Sequence, residues 1–448
     1  MPKTLPSILI LILLSASVKG QKIKVYFTQP VDTTISSGVS AQFLYESADD
    51  TLIAYIQRAK YSIDIAVFSY YQSSLISNIV NAVNQAYLNG KRIRWIYDGG
   101  VGQGSLSNLN AGIRKLASPT SSAYNIMHHK FVVFDADSPD PNDPTVWTGS
   151  MNWNDEQMND DENNIIIIND YELAQAYKGE FNEMWGDTGL IPNQANSRFG
   201  AFKIDNTQHV FNIEGKTVEC YFSPSDHTND HILSAINSAN SDLMFGVYTF
   251  TDSWNADSIV NRINHGVYVT GIMDQYSLPF TAYSTLSPIM GNNLKIYSDP
   301  NYIYHTKHMI VDACATGSDP LVETGSHNWT ITADSKNDEN ILIIHDDTIA
   351  NIYHQAFKHS FERLGGTLTP CTGTSVVSFT PETILFPTSV HDQLILPAEL
   401  SGFELFDGIG RKMSGIWNGE SRVIDFSNLP VGFYIWRSGQ YTGKIFKN

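Results

Sequence analysis

The sequence has few cysteines and few basic residues, and each shortage excludes a class of protein. Three cysteines in 448 residues, Cys220, Cys314 and Cys371, rule out a disulfide-dense scaffold and a zinc framework built on cysteine. They allow at most one disulfide and leave one thiol free. Basic residues number 28 against 46 acidic ones, so the formal net charge is -18 and the chain as a whole repels polyanions.

Long hydrophobic runs are also missing, apart from a short one near the N-terminus. Lys3 precedes the apolar run Ile8–Leu14, and small residues follow up to Gly20. This order is typical of a secretory signal peptide, and the run is far shorter than the ~20 residues that a membrane span needs. We therefore expect residues 1–20 to be a signal peptide and the mature chain to be exported and soluble.

The middle of the chain contains one α/β pattern written twice. Apolar strands alternate with amphipathic helix patterns in the same order in both copies, and each copy closes with an apolar strand and a helix, at 164–185 and 340–364. Near-continuous apolar strands between helices indicate mixed sheets that are covered on both faces. The sequence predicts the α/β class, with one repeat at 21–197 and a second at 198–366.

A small set of polar residues is kept in both copies. The two motifs read His-x-Lys-x4-Asp, then Gly-Ser-x-Asn, then Asp-Glu-Asn, and matching residues lie 176 or 177 positions apart. The first copy supplies His128, Lys130, Asp135, Ser150, Asn152 and Glu162, and the second supplies His305, Lys307, Asp312, Ser326, Asn328 and Glu339. Agreement at one spacing over so many polar positions selects these residues from the background.

The chemistry of this set suits a phosphate group. His-x-Lys on a strand directs an imidazole and an ammonium to one face, whereas the Asp has the opposite parity and faces away. The Gly-Ser-x-Asn turns add hydroxyl and amide donors, and a carboxylate, Glu162 or Glu339, is placed to hydrogen-bond one imidazole nitrogen. Two copies around a pseudo-twofold axis let one His attack phosphorus while the other protonates the leaving oxygen.

These motifs resemble the phospholipase D superfamily over about residues 24–366. The wording Met127-His128-His129-Lys130 followed by Thr-Gly-Ser-x-Asn-Trp looks most like its branch of bacterial endonucleases and cardiolipin hydrolases. The resemblance implies phosphodiester cleavage through a phosphohistidine, without metal or cofactor. It also implies that His128 is the nucleophile and His305 the general acid and later base, although the spacing alone permits the reverse. By the same resemblance, the catalytic set is His128, Lys130, Asp135, His305, Lys307 and Asp312, and the phosphate is bound by Ser150, Asn152, Ser326 and Asn328.

Two other interpretations of the motifs are less consistent with the sequence. A metal site built from His128, His129 and Asp135 is disfavoured, since the second copy has Thr306 in place of His129 and nearby Lys cations would repel a metal. An inactive relative with a vestigial pocket is disfavoured as well, because both copies retain the His, Lys, Asp, Ser and Asn.

The C-terminal part reads as a separate module, with a linker at 367–383 and a small β-sandwich at 384–448. Its runs at 405–412, 424–434 and 444–448 resemble the C-terminal sorting domain of type IX secretion, although Pro387-Thr388-Ser389 replaces the usual Pro-Asn-Pro turn. The resemblance implies a partner, the type IX machinery, and export through the periplasm of a Gram-negative bacterium to the medium or the cell surface. The alternative is a carbohydrate- or surface-binding domain.

The substrate is left open by the sequence. A phospholipase D acting on glycerophospholipids is the first hypothesis, because the protein is predicted to be exported with both motifs in one chain. A nuclease is the second, favoured by the motif wording but disfavoured by the net charge of -18. A phosphatidyl transferase would use the same intermediate with an alcohol in place of water. We expect a monomer, because one chain carries both halves of the site.

Overall fold

The computed structural model describes residues 21–71, 73–101, 106–121, 123–315 and 317–368, and in the tail 389–390, 393–395, 404–406, 412–413, 423–430, 432–438 and 441–447. The chain divides into two compact units, 1–373 and 374–448. The predicted signal peptide, most of the predicted linker and the Pro-Thr-Ser turn, apart from Ser389, lie outside the described residues. No helix in the described part of the chain is long and apolar enough to cross a bilayer.

The first repeat forms an eight-stranded mixed sheet with the order β2-β1-β8-β7-β6-β3-β4-β5. Strands β3, β4 and β5 are parallel to one another, and β6, β7, β8 and β1 continue the sheet as antiparallel neighbours. The elements are β1 Ile23–Phe27, β2 Gln42–Phe43, α1 Ala48–Arg58, β3 Ser62–Val67, α2 Ser74–Leu88, β4 Arg92–Tyr97, β5 Arg114–Ala117, β6 Lys130–Phe134, β7 Thr145–Gly149, α3 Asp155–Asn159, β8 Asn164–Ile168 and α4 Tyr171–Trp185.

The second repeat forms another eight-stranded sheet, with the order β13-β12-β11-β14-β15-β16-β10-β9. Its central strands follow the same topology as those of the first repeat, while the edge strand β9 pairs antiparallel with β10. The elements are β9 Val210–Ile213, β10 Lys216–Ser223, α5 Thr228–Ser238, β11 Asp242–Val247, α6 Ser253–Asn264, β12 Tyr268–Asp274, α7 Thr281–Met290, β13 Leu294–Tyr297, β14 Lys307–Val311, β15 Leu321–Gly325, α8 Ile331–Ser335, β16 Glu339–His345 and α9 Asp347–Arg363.

The closing helix of each repeat packs against the opposite repeat. Tyr353 of α9 contacts Phe27 of β1, with ring centroids 5.3 Å apart, and Tyr177 of α4 contacts Phe222 of β10 at 5.1 Å. Both helices begin at an aspartate whose side chain accepts backbone N–H bonds, Asp170 for α4 and Asp346 for α9. A shared core therefore joins the repeats, and the prediction of two mixed sheets flanked by helices is confirmed.

The C-terminal unit is all β among its described residues. It contains β17 Ser389–Val390, β18 Gln393–Ile395, β19 Glu404–Phe406, β20 Val423–Asp425, β21 Gly432–Ser438 and β22 Tyr441–Lys447. Leu405, Ile424, Phe426 and Ile445 are fully buried in its core. The strands agree with the alternating pattern of the sequence, and the role in type IX sorting stays a prediction. In the first unit Cys314 is disulfide-bonded and Cys220 is a buried free thiol.

Candidate active site

Strands β6 and β14 position the two His-x-Lys motifs at equivalent places in the sheets. His128 and Lys130 are 6% and 2% exposed, and His305 and Lys307 are 5% and 0% exposed. Each ammonium turns back onto its own motif: Lys130 donates to the carbonyl of His128 at 2.7 Å, and Lys307 to that of His305. The two motifs thus present buried imidazoles and ammoniums in the same arrangement.

Backbone bridges between the repeats bring these motifs together. The N–H of His128 donates to the Asp338 carbonyl at 2.9 Å, and the N–H of His305 donates to the Glu162 carbonyl at 2.9 Å. The two halves interact electrostatically: burial, Lys307, Lys130 and His128 together lower the pKa of His305 well below its usual range. The result is one composite site around a pseudo-twofold axis.

The two histidines have different partners, and both partners come from the opposite repeat. Nδ1 of His128 donates to a carboxylate oxygen of Glu339 at 2.7 Å. Nδ1 of His305 donates instead to the amide oxygen of Asn163 at 3.0 Å, since the Asn163 amide nitrogen donates to the Gln157 carbonyl. In both cases Nδ1 is held and Nε2 is the nitrogen left for chemistry.

The structure places Glu162 away from His305 and corrects the equivalence that the sequence suggested. Sheet pairing matches Gly149 with Ile165 in one repeat and Gly325 with Ile341 in the other, so Asn163, and not Glu162, is the counterpart of Glu339. The Glu162 carboxylate contacts Ser360 and Arg363 of α9. The Asp-Glu-Asn runs of the two repeats look equivalent in sequence, but sheet pairing aligns them with an offset of one residue.

The Gly-Ser turns support the partners of the histidines. The hydroxyl of Ser150 donates to Asn163 at 2.9 Å, and that of Ser326 donates to Glu339 at 2.7 Å. The structure therefore gives both hydroxyls a positioning contact in place of the expected phosphate contact. Glycine is required before them because Gly149 and Gly325 have φ of 137° and 158°, and a Cβ there would lie 2.2 and 2.1 Å from a carbonyl oxygen.

The amides of Asn152 and Asn328 follow the same turns. Asn152 is 6% exposed, and its amide oxygen makes no hydrogen bond with a described residue. The amide oxygen of Asn328 accepts the backbone N–H of Thr249 at 3.3 Å. That bond leaves the Asn328 NH2 group as the candidate phosphate donor.

Asp135 and Asp312 lie at the far ends of β6 and β14, about five residues or ~16 Å from the lysines. Each carboxylate accepts backbone N–H bonds from the start of the neighbouring strand: Asp135 from Tyr61 at 2.6 Å, and Asp312 from Ser241 at 2.8 Å. Both residues adopt left-handed backbone conformations, with φ of 56° and 52°. The structure does not bring them into the pocket, so their role is to close the strand connection.

Sequence reasoning missed two pairs of residues beside the motifs. Phe68 and Tyr248 follow β3 and β11, and their rings lie 4.8 Å from His128 and 5.0 Å from His305. Asp98 directly follows β4 and Asp274 ends β12, and they accept the N–H of the residue before each histidine, at 2.9 and 2.8 Å. The sequence did contain a signal for this second pair, because an aspartate follows the same apolar strand run in both repeats.

Burial sets the protonation of the site. It lowers the pKa of His128 to about 4 against the opposing effect of Glu339, and it lowers the pKa of Lys130 to about 7. The pKa of Glu339 is held at about 2, because His128 and Lys130 outweigh its burial. At neutral pH the geometry therefore provides a neutral imidazole hydrogen-bonded to a carboxylate.

His129, the second histidine of the first motif, is fully buried and hydrogen-bonds within the protein interior. Nε2 of His129 contacts Glu180 at 2.8 Å, and Glu180 also pairs with Lys203.

Among the described residues, one group of possible metal ligands, Asp205, His209 and Asp226, has ligand atoms within 4.8 Å of one another, and it contains no residue of the two motifs. His209 in that group is already bonded to the Cys220 carbonyl at 3.0 Å.

Comparison with known families agrees with this architecture. A family model described as "Cardiolipin synthase, PLD-like domain" matches residues 52–185 and 232–361, which together make up more than half of the chain. The protein belongs to this phospholipase D-like family, with one domain in each repeat.

Individual relatives have names from this superfamily, and one solved structure shares the fold. A mitochondrial cardiolipin hydrolase of Xenopus tropicalis is 32% identical over 144 residues, 31% of this chain and 62% of the relative. A phospholipase D of Rickettsia prowazekii is 27% identical over 174 residues, 38% of this chain and 80% of the relative. The phosphatidylserine synthase of Haemophilus influenzae shares the fold at a TM-score of 0.54 and 13% identity, over 76% of this chain and 86% of that one. The relatives support an enzyme of the phosphodiesterase type.

Proposed function

We propose that this protein is an exported phospholipase D that hydrolyses glycerophospholipids at the headgroup phosphodiester, without metal or cofactor, through a phosphohistidine. The observation that carries the proposal is the pair of buried imidazoles, each held at Nδ1 by the opposite repeat, with a lysine two residues after each. A complete site within one chain is compatible with a monomer.

In the first step, Nε2 of His128 attacks phosphorus and the bond to the headgroup oxygen breaks. His305 donates its Nε2 proton to that oxygen, so the headgroup leaves as an alcohol and not as an alkoxide. Lys130, Lys307 and the Asn328 amide hold the non-bridging oxygens, where negative charge increases. In the second step, His305 takes a proton from water, the hydroxide attacks phosphorus, and the N–P bond breaks to release phosphatidate.

The unequal partners of the histidines support this division of roles. Attack by His128 creates a positive charge on its imidazole, and the Glu339 carboxylate stabilises that charge. The neutral Asn163 amide gives His305 no such stabilisation. Protonated His305 is therefore a stronger acid than protonated His128. A phosphodiester anion in the pocket supplies the charge that keeps His305 protonated before the reaction.

A lipid substrate is favoured over a nucleic acid by charge. The chain carries a net charge of -18, and phosphate contacts that bind nucleic acid require clustered cations. The relatives named phospholipase D and cardiolipin hydrolase point the same way. The motif wording around His128 favours a nuclease as the second candidate.

Export through a signal peptide at 1–20 and type IX sorting through 384–448 are part of the proposal.

Headgroup release from phosphatidylcholine and phosphatidylglycerol vesicles in EDTA, with DNA cleavage measured in parallel, tests the reaction. We expect headgroup release and intact DNA; DNA cleavage without lipid turnover would make the protein a nuclease, and loss of activity in EDTA would contradict a metal-free mechanism. Acid quenching tests the roles. With a p-nitrophenyl phosphodiester, whose leaving group needs no proton, His305→Ala is expected to accumulate an acid-labile phosphoenzyme that His128→Ala never forms, and the opposite pattern would exchange the two roles.

A further inference from the structure

An uncharged, exposed segment follows β12 of the second repeat. Residues 275–294 contain no Asp, Glu, Lys or Arg, whereas 17% of the whole chain is charged. Tyr276, Leu278 and Phe280 in this segment are 56%, 38% and 41% exposed. Several large apolar side chains at successive exposed positions are not required by the core and point to a partner.

This segment begins one aromatic ring away from the catalytic pocket. The Tyr276 ring lies 5.5 Å from that of Tyr248, and the Tyr248 ring lies 5.0 Å from His305. The hydroxyl of Ser277 donates to the carbonyl of Tyr248 at 3.1 Å, which fixes the segment to the pocket wall. A molecule that contacts these side chains is therefore close to the scissile phosphate.

Trp254 extends the same edge of the sheet. Parallel strands β11 and β12 are followed by α6 and α7, so both helices begin at the edge where the strands end. Trp254, in the first turn of α6, is 69% exposed, while the other tryptophans with described side chains are buried. We define the apolar rim as Trp254, Tyr276, Leu278 and Phe280.

We propose that the apolar rim docks the enzyme on a bilayer surface of zwitterionic phospholipids by entering its interfacial region. The inference rests on the proposed phospholipase function and adds how the enzyme meets its substrate. Trp and Tyr favour the membrane interface, and Leu and Phe gain from leaving water. The exposed Asp257 lies three residues after Trp254, and the segment 275–294 has no cation, so an anionic surface gains no attraction from the rim.

The test is sedimentation of the full chain, made inactive by His128→Ala, with phosphatidylcholine vesicles. Leu278→Asp and Phe280→Asp are each expected to lower the partition coefficient roughly ten-fold or more, since one large apolar side chain no longer leaves water. Leu88→Asp is the matched control: Leu88 is 62% exposed but ends α2 at the opposite edge of the first sheet, and its replacement is expected to leave binding unchanged.

Trp254 gives a second measurement that needs no charged substitution. Its fluorescence is expected to shift to the blue on vesicle addition and to be quenched by brominated lipid, and Trp254→Phe is expected to remove both changes. Absence of quenching, or full binding by both Asp variants, would overturn the docking surface. Binding that requires phosphatidylglycerol and is lost in salt would overturn it as well. Rim-dependent binding without headgroup release by the active enzyme would instead refute the phospholipase function and leave the docking surface intact.

Discussion

Glu339 belongs to the second repeat, yet its carboxylate accepts the hydrogen bond that Nδ1 of His128 donates from the first, at 2.7 Å. The counterpart pair, Asn163 and His305, crosses the repeats in the opposite direction with an amide in place of the carboxylate. The pseudo-twofold symmetry is thus kept in geometry and broken in charge. A single amino-acid difference gives otherwise equivalent histidines different acid–base behaviour.

Replacing the carboxylate partner is expected to slow the chemical step. In Glu339→Gln, His128 keeps a neighbour of the same size but loses the negative charge that stabilises its phosphorylated, cationic form. We expect kcat to fall about 10²-fold with little change in KM, measured on a soluble phosphodiester. Glu162→Gln is the control, because the Glu162 side chain contacts Ser360 and Arg363 and no histidine. An equal loss in both variants would contradict the assignment of Glu339 as the partner of His128.

The sequence predicted the repeats and the candidate residues because those signals are local. His-x-Lys on a strand and Gly-Ser-x-Asn in a turn can be recognised from a few residues of sequence. The partner of each histidine depends on contacts between repeats, such as the bond from His128 to the Asp338 carbonyl, and no local pattern contains them. The similar runs 161–163 and 338–340 then suggested an equivalence that sheet register, a property of strand pairing, corrects by one residue.

The pH dependence of kcat at saturating phosphodiester, where the bound anion keeps His305 protonated, is expected to be bell-shaped. His128 must be neutral to attack, and burial lowers its pKa to about 4, so activity rises through that pH. Lys130 must be charged to bind phosphate, and burial lowers its pKa to about 7, so activity falls as the pH rises through that value.

Lys130→Arg tests the alkaline limb of this profile. The guanidinium stays charged throughout, so the limb is expected to move to higher pH even if the maximum activity is reduced by the changed geometry. An alkaline limb that stays in place in Lys130→Arg would assign it to another group.

Asp135 is expected to act on stability and not on catalysis. Its carboxylate accepts backbone N–H bonds from Lys60, Tyr61 and Ser62 at 2.8, 2.6 and 3.2 Å, far from the lysines of the pocket. Asp135→Asn weakens these charge-assisted bonds and is expected to cost roughly 2 kcal/mol in the free energy of unfolding, measured with urea. The folded variant is expected to keep kcat within about two-fold. Asp312→Asn is expected to behave in the same way, and a selective loss of kcat in either would contradict a structural role.

Glu323 gives the fold a pH-dependent weakness outside the site. It is fully buried in β15 beside Met309, where neither carboxylate oxygen makes a hydrogen bond of good geometry with a described residue. Burial raises the pKa of Glu323 to about 8, and only the Trp329 indole opposes that shift. The folded state then binds a proton that the unfolded state has released. The contribution of Glu323 to the free energy of unfolding is therefore complete below about pH 4. It is lost as the pH rises toward about 8, by up to about 1.4 kcal/mol per pH unit.

Glu323→Gln removes this titration while keeping the size of the side chain. The difference in unfolding free energy between the variant and the wild type is expected to grow in favour of the variant between about pH 5 and about pH 8, and to level off above that range. Urea unfolding across this range measures the difference, and Glu219→Gln on β10, which β16 separates from β15 in the same sheet, serves as the control. The hydrogen bond with the His345 side chain is the main cause that lowers the pKa of Glu219. Replacing Glu219 is therefore expected to destabilise the protein at neutral pH, the opposite of the effect expected for Glu323→Gln. An unfolding free energy that differs between wild type and Glu323→Gln by the same amount at every pH would contradict a buried, protonated Glu323 carboxyl and would show that the group is solvated or paired in the native protein.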